Sequence, residues 1–142
     1  MGSSAWLTFT LYSPDLTTAL LAAQLSTFHA GNYYWAGDGE PPATIEELWQ
    51  DPAVHGTGTH AILDIFELIG PDEPDTPMAV RPLSRDRLLM AFGTDRPTRA
   101  QFDAAYRTDL LDDGYPRWCG RCCTLYVDDG PSEIAFWGAS GD

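Results

Sequence analysis

The chain contains no lysine, and neither Lys nor Arg precedes Arg81. The eight basic residues are all arginines, whereas 21 acidic residues give a formal net charge of −13. Residues 1–80 carry eleven of these acids. Because a charge of this sign and size repels polyanions, the composition argues against binding to nucleic acid or to an anionic membrane surface. It is compatible with a basic protein partner.

Long apolar runs and a cysteine framework are also missing. The longest apolar stretches, Thr18–Leu25 and Ala61–Phe66, are far shorter than the roughly 20 residues that cross a bilayer. The N-terminus lacks the basic region of a signal peptide. Three clustered cysteines cannot link distant parts of the chain, which favours a reducing compartment. We therefore expect a cytoplasmic protein without a membrane span.

The length and hydrophobic content of the chain are sufficient for one folded domain. The chain has 142 residues, of which 44% are hydrophobic and 12% aromatic, so it can bury a core without disulfides or metals. We expect a single globular domain over residues 1–142. Residues 1–4 have the composition of either a cloning remnant or a disordered native start.

The N-terminal third predicts a strand, a helix and a loop. Alternation over Trp6–Tyr12 indicates a first strand whose inward face is formed by Leu7, Phe9 and Leu11. Ser13 is a suitable N-cap, so a helix is expected over residues 13–30, with Gly31 as its stop. The stretch Gly31–Pro42 is rich in Gly and Pro and predicts a surface loop.

The middle of the chain is less regular. Thr44 and Glu47 have the spacing of a capping box, which predicts a short helix through Gln50. The run Thr57–Ile69 is the strongest strand candidate and is expected to be central. The proline-rich residues 71–77 then lead to a short strand at Met78–Arg81. Ser84–Phe92 fits either a helix capped by Ser84 or a strand.

The C-terminal part predicts a helix and a hairpin. Thr98 and Gln101 form a second capping box, followed by helical periodicity up to Gly114. The β-rich runs Arg121–Val127 and Glu133–Trp137 flank an Asp-Gly pair, which is a hairpin signal. The expected fold class is therefore α+β. It has a mostly antiparallel sheet of four to six strands, with two main helices, 13–30 and 98–113, packed on one face.

Three cysteines lie close together at Cys119, Cys122 and Cys123. The run from Trp118 to Cys122 resembles the redox motif of thioredoxin-type proteins, which implies a reactive thiol at a helix N-terminus. Here the run is near the C-terminus, lacks the usual Pro and enters a β-rich segment. We interpret the cysteines as small apolar side chains packed at the base of a strand, and no second pair completes a structural zinc site.

His55, His60 and Asp64 are the candidate residues for chemistry. A carboxylate that orients a histidine, or a His/His/Asp metal site, would allow acid–base or metal-dependent catalysis. On a strand, His60 and Asp64 would lie on one face but about 13 Å apart. If Asp64 is buried it needs a partner, for which an arginine from the second half of the chain is expected.

An acidic and aromatic surface is the other candidate site. Aromatic side chains among carboxylates have the composition of an interface that attracts a basic protein by electrostatic steering. The predicted partner-binding residues are Tyr33, Tyr34, Trp35, Asp38, Glu40, Glu46, Glu47, Asp51, Asp72, Glu73 and Asp75. Two alternatives remain: the acids are simply solvated while Trp49 and a tyrosine belong to the core, or residues 33–35 form the wall of a small-molecule site.

The sequence favours a binding protein over an enzyme. It has no nucleophile elbow, phosphate-binding loop or dinucleotide fingerprint, and no cofactor is expected. The leading hypothesis is a small acidic cytosolic interaction domain, an inhibitor or immunity-type protein of bacterial kind that neutralises a basic toxin. The competing hypothesis for the charge is solubility, combined with the Arg-rich, Lys-free usage of a GC-rich genome.

Overall fold

The computed structural model describes residues 4–141; the expectation about the chain's first residues falls mainly on residues 1–3, which lie outside this range. The strands are β1 Ala5–Leu11, β2 Glu67–Leu68, β3 Ala79–Pro82, β4 Cys119–Val127 and β5 Gly130–Ala139. The α-helices are α1 Leu16–Ala30, α2 Ile45–Gln50, α3 Pro52–Thr57, α4 Arg85–Phe92 and α5 Arg99–Arg107. A 3₁₀ helix covers Ile62–Asp64.

The five strands form one mixed sheet in the order β1-β5-β4-β3-β2. β5 pairs antiparallel with β1 and with β4, whereas β3 pairs parallel with β4 and with β2. The α+β class and the strand number agree with the sequence, but the expectation of a mostly antiparallel sheet is wrong. The reason is the crossover through α4 and α5, which makes β4 start at the same end of the sheet as β3.

Two apolar clusters flank this sheet. The first contains the buried side of α1, to which β4 and β5 contribute Cys122, Ile134 and Phe136. The second contains the buried side of α5, to which the same strands contribute Cys123, Ala135 and Trp137. Because successive side chains of a strand point to opposite faces, α1 and α5 lie on opposite faces of the sheet. The expectation that both main helices pack on one face is therefore wrong.

Strand β1 lies at an edge of the sheet, and of its predicted inward face only Phe9 packs in the core, in the second cluster. Trp6 is buried, whereas Leu7 and Leu11 of the expected inward face are exposed. The Trp6 ring occupies space left by two glycines, Gly138 on the adjacent β5 and Gly120 on β4 beyond it. A β-carbon built at Gly138 would lie 2.5 Å from Trp6 Cζ2, and one at Gly120 would lie 3.1 Å from Trp6 Cη2.

Most helix boundaries follow the capping signals. Thr44 caps α2, Ser84 caps α4, and Thr98 with Gln101 forms the complete capping box of α5. Ser84–Phe92 is therefore helical after its cap. The cap of α1 is Asp15 rather than Ser13, because the Asp15 carboxylate accepts the backbone hydrogen bond of Thr17. No helix within residues 4–141 is both long enough and apolar enough to cross a membrane.

The predicted hairpin is present, and its turn uses two acidic residues. Asp128 and Asp129 adopt left-handed backbone conformations, with φ of 51° and 63°. Val127 pairs with Gly130 directly after them. Two consecutive positive φ angles are the requirement of the two-residue type I′ turn, which asparagine, aspartate and glycine tolerate best.

The predicted central strand over Thr57–Ile69 is wrong. Its residues form the end of α3, a turn, the 3₁₀ helix and only the two residues of the edge strand β2. His60 has a left-handed φ of 55°, which breaks an extended run. The Asp64 carboxylate holds the turn by accepting hydrogen bonds from the Thr59 amide and hydroxyl, at 2.6 and 2.8 Å.

Candidate functional site

The segment between α1 and α3 is held by a small apolar cluster of its own. Its buried members are Ile45, Leu48, Val54 and Leu63, and the half-buried aromatics around them are Phe28, Tyr33, Trp35 and Trp49. The Tyr34 amide donates to the Thr59 carbonyl at 2.7 Å and so ties this segment to the turn before the 3₁₀ helix. The cluster therefore gives the acidic part of the chain a fixed backbone.

Of the three consecutive aromatics, the structure exposes mainly Tyr34. Tyr33 stacks on Phe28, and burial raises its pKa. The Trp35 indole donates to the Gly39 carbonyl at 3.3 Å. Tyr34 has 47% of its surface exposed and stacks on His60, with ring centroids 4.5 Å apart. A partner could contact Tyr34 without unfolding the loop.

Five carboxylates surround this cluster and are called here the acidic segment: Asp38, Glu40, Glu46, Glu47 and Asp51. Asp51 is half-buried and caps α3 by accepting from the Ala53 amide at 2.9 Å, and the other four are exposed. Glu46 and Glu47 lie in the first turn of α2, where the helix dipole favours them. Among residues 4–141, no ion pair includes any of the five.

An aromatic patch next to α2 was not predicted from the sequence. It consists of Trp49, His55 and Phe66, with Phe66 centroids 6.1 Å from Trp49 and 5.8 Å from His55. Phe66 has 42% of its surface exposed. Its place in an apolar run suggested a buried strand residue, and only the turn at residues 58–64 brings it to the surface beside α2 and α3.

The second acidic run has a different environment. Asp72 and Glu73 are exposed, but Asp75 forms a bidentate ion pair with Arg121, with N–O distances of 2.7 and 3.0 Å. Asp113 binds the same guanidinium at 2.9 and 3.2 Å. We call these three residues the Arg121 clamp. Asp75 is therefore engaged inside the protein and not free for a partner.

The cation of the Arg121 clamp is buried in the sheet, whereas its two carboxylates are partly exposed. Arg121 lies in the middle of β4 with 1% of its surface exposed. Its hydrogen bonds are the main reason why the pKa of Asp75 is lowered. An arginine between glycine and cysteine in an otherwise apolar strand was the sequence signal for a buried cation, but the residues that pair with it are 46 and 8 positions away.

His55, His60 and Asp64 do not form a metal site. Within the described residues, no group of three or more His, Cys, Asp or Glu side chains is placed to hold a metal ion. His55 Nε2 contacts the Trp49 carbonyl at 2.7 Å and lies in the aromatic patch, whereas His60 stacks on Tyr34. The two histidines therefore lie apart and contact different aromatic side chains.

Asp64 is fully buried, and its partner is not the expected arginine. Its Oδ1 accepts from Thr59, while Oδ2 has no hydrogen-bond partner within residues 4–141. Burial raises the pKa of this carboxyl, against the opposing effect of the Thr59 hydrogen bonds. The side chain stabilises the turn that replaces the predicted strand, and its burial removes it from contact with a substrate.

The three cysteines are free and buried. Burial raises the pKa of Cys122 to about 12 and also raises those of Cys119 and Cys123. All three lie in β4 rather than at a helix N-terminus, and Cys119 and Cys122 point to opposite faces of the sheet. These features oppose thiolate formation and support the packing interpretation.

The surface cavities are small. Those described have volumes of about 140–260 Å³, below the usual range of sites for drug-sized ligands. The cavity beside His60 is lined by β1, Asn32 and the start of the 3₁₀ helix, without Tyr33, Tyr34 or Trp35. The loop of three aromatics therefore does not form the wall of any of these cavities.

Comparisons of the chain with protein-family models, with curated proteins and with solved structures found no match.

Proposed function

We propose that this protein is a binding module that recognises a basic protein through the acidic segment and the aromatic side chains beside it. The observation that carries the proposal is the contrast between acids. Asp75 and Asp113 are held by Arg121, whereas the four exposed acids of the acidic segment have no cationic partner within residues 4–141. Those four carboxylates remain able to attract a positively charged surface.

The aromatic side chains supply the contact area that carboxylates lack. Tyr34 and Phe66 are exposed, and each is stacked on a histidine that restricts its motion. Restricted aromatic side chains lose little conformational entropy when a partner covers them, and they are frequent in energetically dominant contacts. The surrounding carboxylates would speed the encounter and select for a basic partner.

The partner that fits best is a small basic protein whose own site binds anions. An acidic surface can occlude such a site, which is the way an inhibitor or immunity-type protein would neutralise a toxin. This finer assignment rests on charge complementarity alone. Buried reduced thiols are in keeping with a cytoplasmic setting.

A paired charge-neutralisation experiment tests the proposal. The site variant carries Glu46→Gln and Glu47→Gln, and the control carries Asp128→Asn and Asp129→Asn at the hairpin turn. Both remove two negative charges, and asparagine tolerates the left-handed turn conformation. The probe is an immobilised poly-arginine peptide at low ionic strength, followed by capture of proteins from the native host's lysate.

Binding through the acidic segment predicts that the site variant associates with the probe at least about tenfold more slowly, while the control resembles the wild type. The same difference is expected for a basic protein captured from the lysate. Equal losses in the two variants would show that only net charge matters and would overturn the proposal.

Phe66→Ser and Tyr34→Ser should accelerate dissociation rather than slow association.

A further inference from the structure

A cavity of about 260 Å³ lies where β3 leads into α4, on the side of the sheet that faces α5. Three arginine side chains line it, namely Arg81, Arg87 and Arg121, together with Ser84 and Asp113. Arg81 and Arg121 are cross-strand neighbours on β3 and β4. This is an unusual concentration of cations in a protein whose formal net charge is −13.

The carboxylates at the cavity do not balance these cations. Asp113 pairs with Arg121, and Asp75 pairs with Arg121 at 2.7 Å and with Arg81 at 3.8 Å. Three positive charges thus face two negative ones. The only remaining acid in the adjoining turn of α4 is Asp86, which is exposed and does not line the cavity.

The uncompensated charge belongs to Arg87. Its terminal nitrogens contact the Leu110 carbonyl at 2.8 Å and the Met90 sulfur at 3.2 Å, neither of which is charged. Its Nε is buried and has no hydrogen-bond partner among residues 4–141. A half-buried guanidinium with an unsatisfied donor is unfavourable unless an anion completes its environment.

The start of α4 adds a further preference for anions. Ser84 is the N-cap of this eight-residue helix and also lines the cavity. The first amides of a helix have no intrahelical acceptor, and the helix dipole places partial positive charge there. The N-terminus of a helix is a recurrent binding position for phosphate groups because its amides point at the ligand.

We infer that this cavity binds a small oxyanion, a phosphate or carboxylate group, between Arg87, Arg81 and the N-terminus of α4. The cavity is below the size of drug-sized sites, so the group is either a free ion or the anionic end of a ligand that extends into solvent. The site is separate from the acidic segment and independent of the proposed protein partner.

The test is titration with inorganic phosphate and, separately, with acetate, at constant ionic strength maintained with sodium chloride. Calorimetry and the thermal midpoint are measured for the wild type, Arg87→Gln and Arg107→Gln. Arg107 is an exposed arginine on α5 that does not line the cavity, so its variant matches the charge change. If Arg87→Gln does not fold, Arg81→Gln is used in its place.

We expect saturable binding to the wild type and to Arg107→Gln, with affinity at least about tenfold lower for the cavity variant, since a charge-assisted hydrogen bond is lost. Tighter binding of phosphate than of acetate identifies a phosphate ligand, and the reverse order a carboxylate. Absence of binding beyond the chloride control, or equal weakening in Arg107→Gln, overturns the inference.

Discussion

The Arg121 clamp and the acidic segment use the same chemical group in opposite ways. In the clamp, Asp75 and Asp113 both bind one guanidinium that is almost completely removed from solvent. In the acidic segment, four carboxylates are exposed and none pairs with a cation in the part of the chain that the structure describes. The first set stabilises the fold, and the second leaves a charged surface.

The difference shows why net charge is a poor guide to surface charge. The sequence places eleven acids before the first arginine, as if the N-terminal half were uniformly negative. In three dimensions the proline-rich loop brings Asp75 to β4, and its charge is neutralised there. Four of the acids that remain exposed lie around α2, and Asp72 and Glu73 are exposed in the proline-rich loop.

The largest expected effect comes from removing the cation of the clamp. Arg121→Ala removes the hydrogen-bonded cation from Asp75 and Asp113 and leaves Asp75 only the 3.8 Å contact with Arg81 among the described residues, so the free energy of unfolding should fall by about 3–5 kcal/mol. Urea denaturation measures this loss. The exposed Arg107→Ala is the matched control, for which a change within about 0.5 kcal/mol is expected. A loss below about 1 kcal/mol in Arg121→Ala would contradict the structural role of the clamp.

The pH dependence of stability should separate the two sets of acids. Arg121 lowers the pKa of Asp75 in the folded protein. The ionised carboxylate therefore stabilises the fold fully at pH values above the pKa of an unfolded aspartate, about 3.9. This stabilisation is lost as the pH falls through the lower pKa of Asp75 in the folded protein. Asp75→Asn should be less stable at neutral pH and should lose less stability on acidification. The measurement is the unfolding midpoint of Asp75→Asn and of Asp38→Asn across the acid pH range. If the two variants have identical pH profiles, the predicted role of the Asp75–Arg121 pair in acid stability is wrong.

Thiol labelling should report opening of the clamp. Cys119 Sγ contacts the Thr76 carbonyl, in the loop that Asp75 ties to Arg121. Native cysteines should react slowly with a thiol reagent because they are buried and their pKa values are raised. Arg121→Ala should accelerate labelling of Cys119 by about tenfold or more, as local opening becomes easier. Peptide mapping by mass spectrometry identifies the labelled residue; unchanged rates would mean that the loop is held by other contacts.

The smallest effect is expected in the acidic segment. Glu46→Gln with Glu47→Gln removes favourable charges from the first turn of α2, worth about 0.3–1 kcal/mol each when exposed. Asp38→Asn with Glu40→Gln should change stability by less than about 0.5 kcal/mol. Urea denaturation is again the measurement. A loss as large as that of Arg121→Ala would show that these acids also have a structural partner.

Local signals predicted local structure well. The capping box at Thr98 and the Asp-Gly pair beside the hairpin are short-range signals, and both elements form, although the helix ends at Arg107 rather than at the predicted residue 113. The wrong strand prediction over Thr57–Ile69 has a local cause as well. The apolar residues there are buried because a compact turn brings them into contact with the core, and not because they lie on one face of a strand. Alternation could not distinguish this turn from a strand, because the decisive contact joins the Asp64 side chain to Thr59.

Long-range pairing was the part that the sequence could not supply. Parallel pairing of β3 with β4 joins residues about forty positions apart through two helices, and no spacing rule encodes it. The candidate site also depends on long-range contacts that the sequence does not reveal. Tyr34 and the acidic segment were named from composition, whereas Phe66 and the arginine cavity depend on how the turn and the crossover place side chains.

The packing of Trp6 against two glycines has an evolutionary consequence. A side chain at Gly138 would meet the indole and, at 2.6 Å, the Cys119 carbonyl oxygen, and one at Gly120 would meet the Trp137 carbonyl oxygen at 2.9 Å, so both positions require glycine. Because these oxygens are backbone atoms, replacement of Trp6 by a smaller residue would open a void without making room for a side chain at either glycine. Among descendants of this fold, glycine should therefore persist at positions 120 and 138 even where position 6 varies, because the close approach of β4 and β5 depends on both.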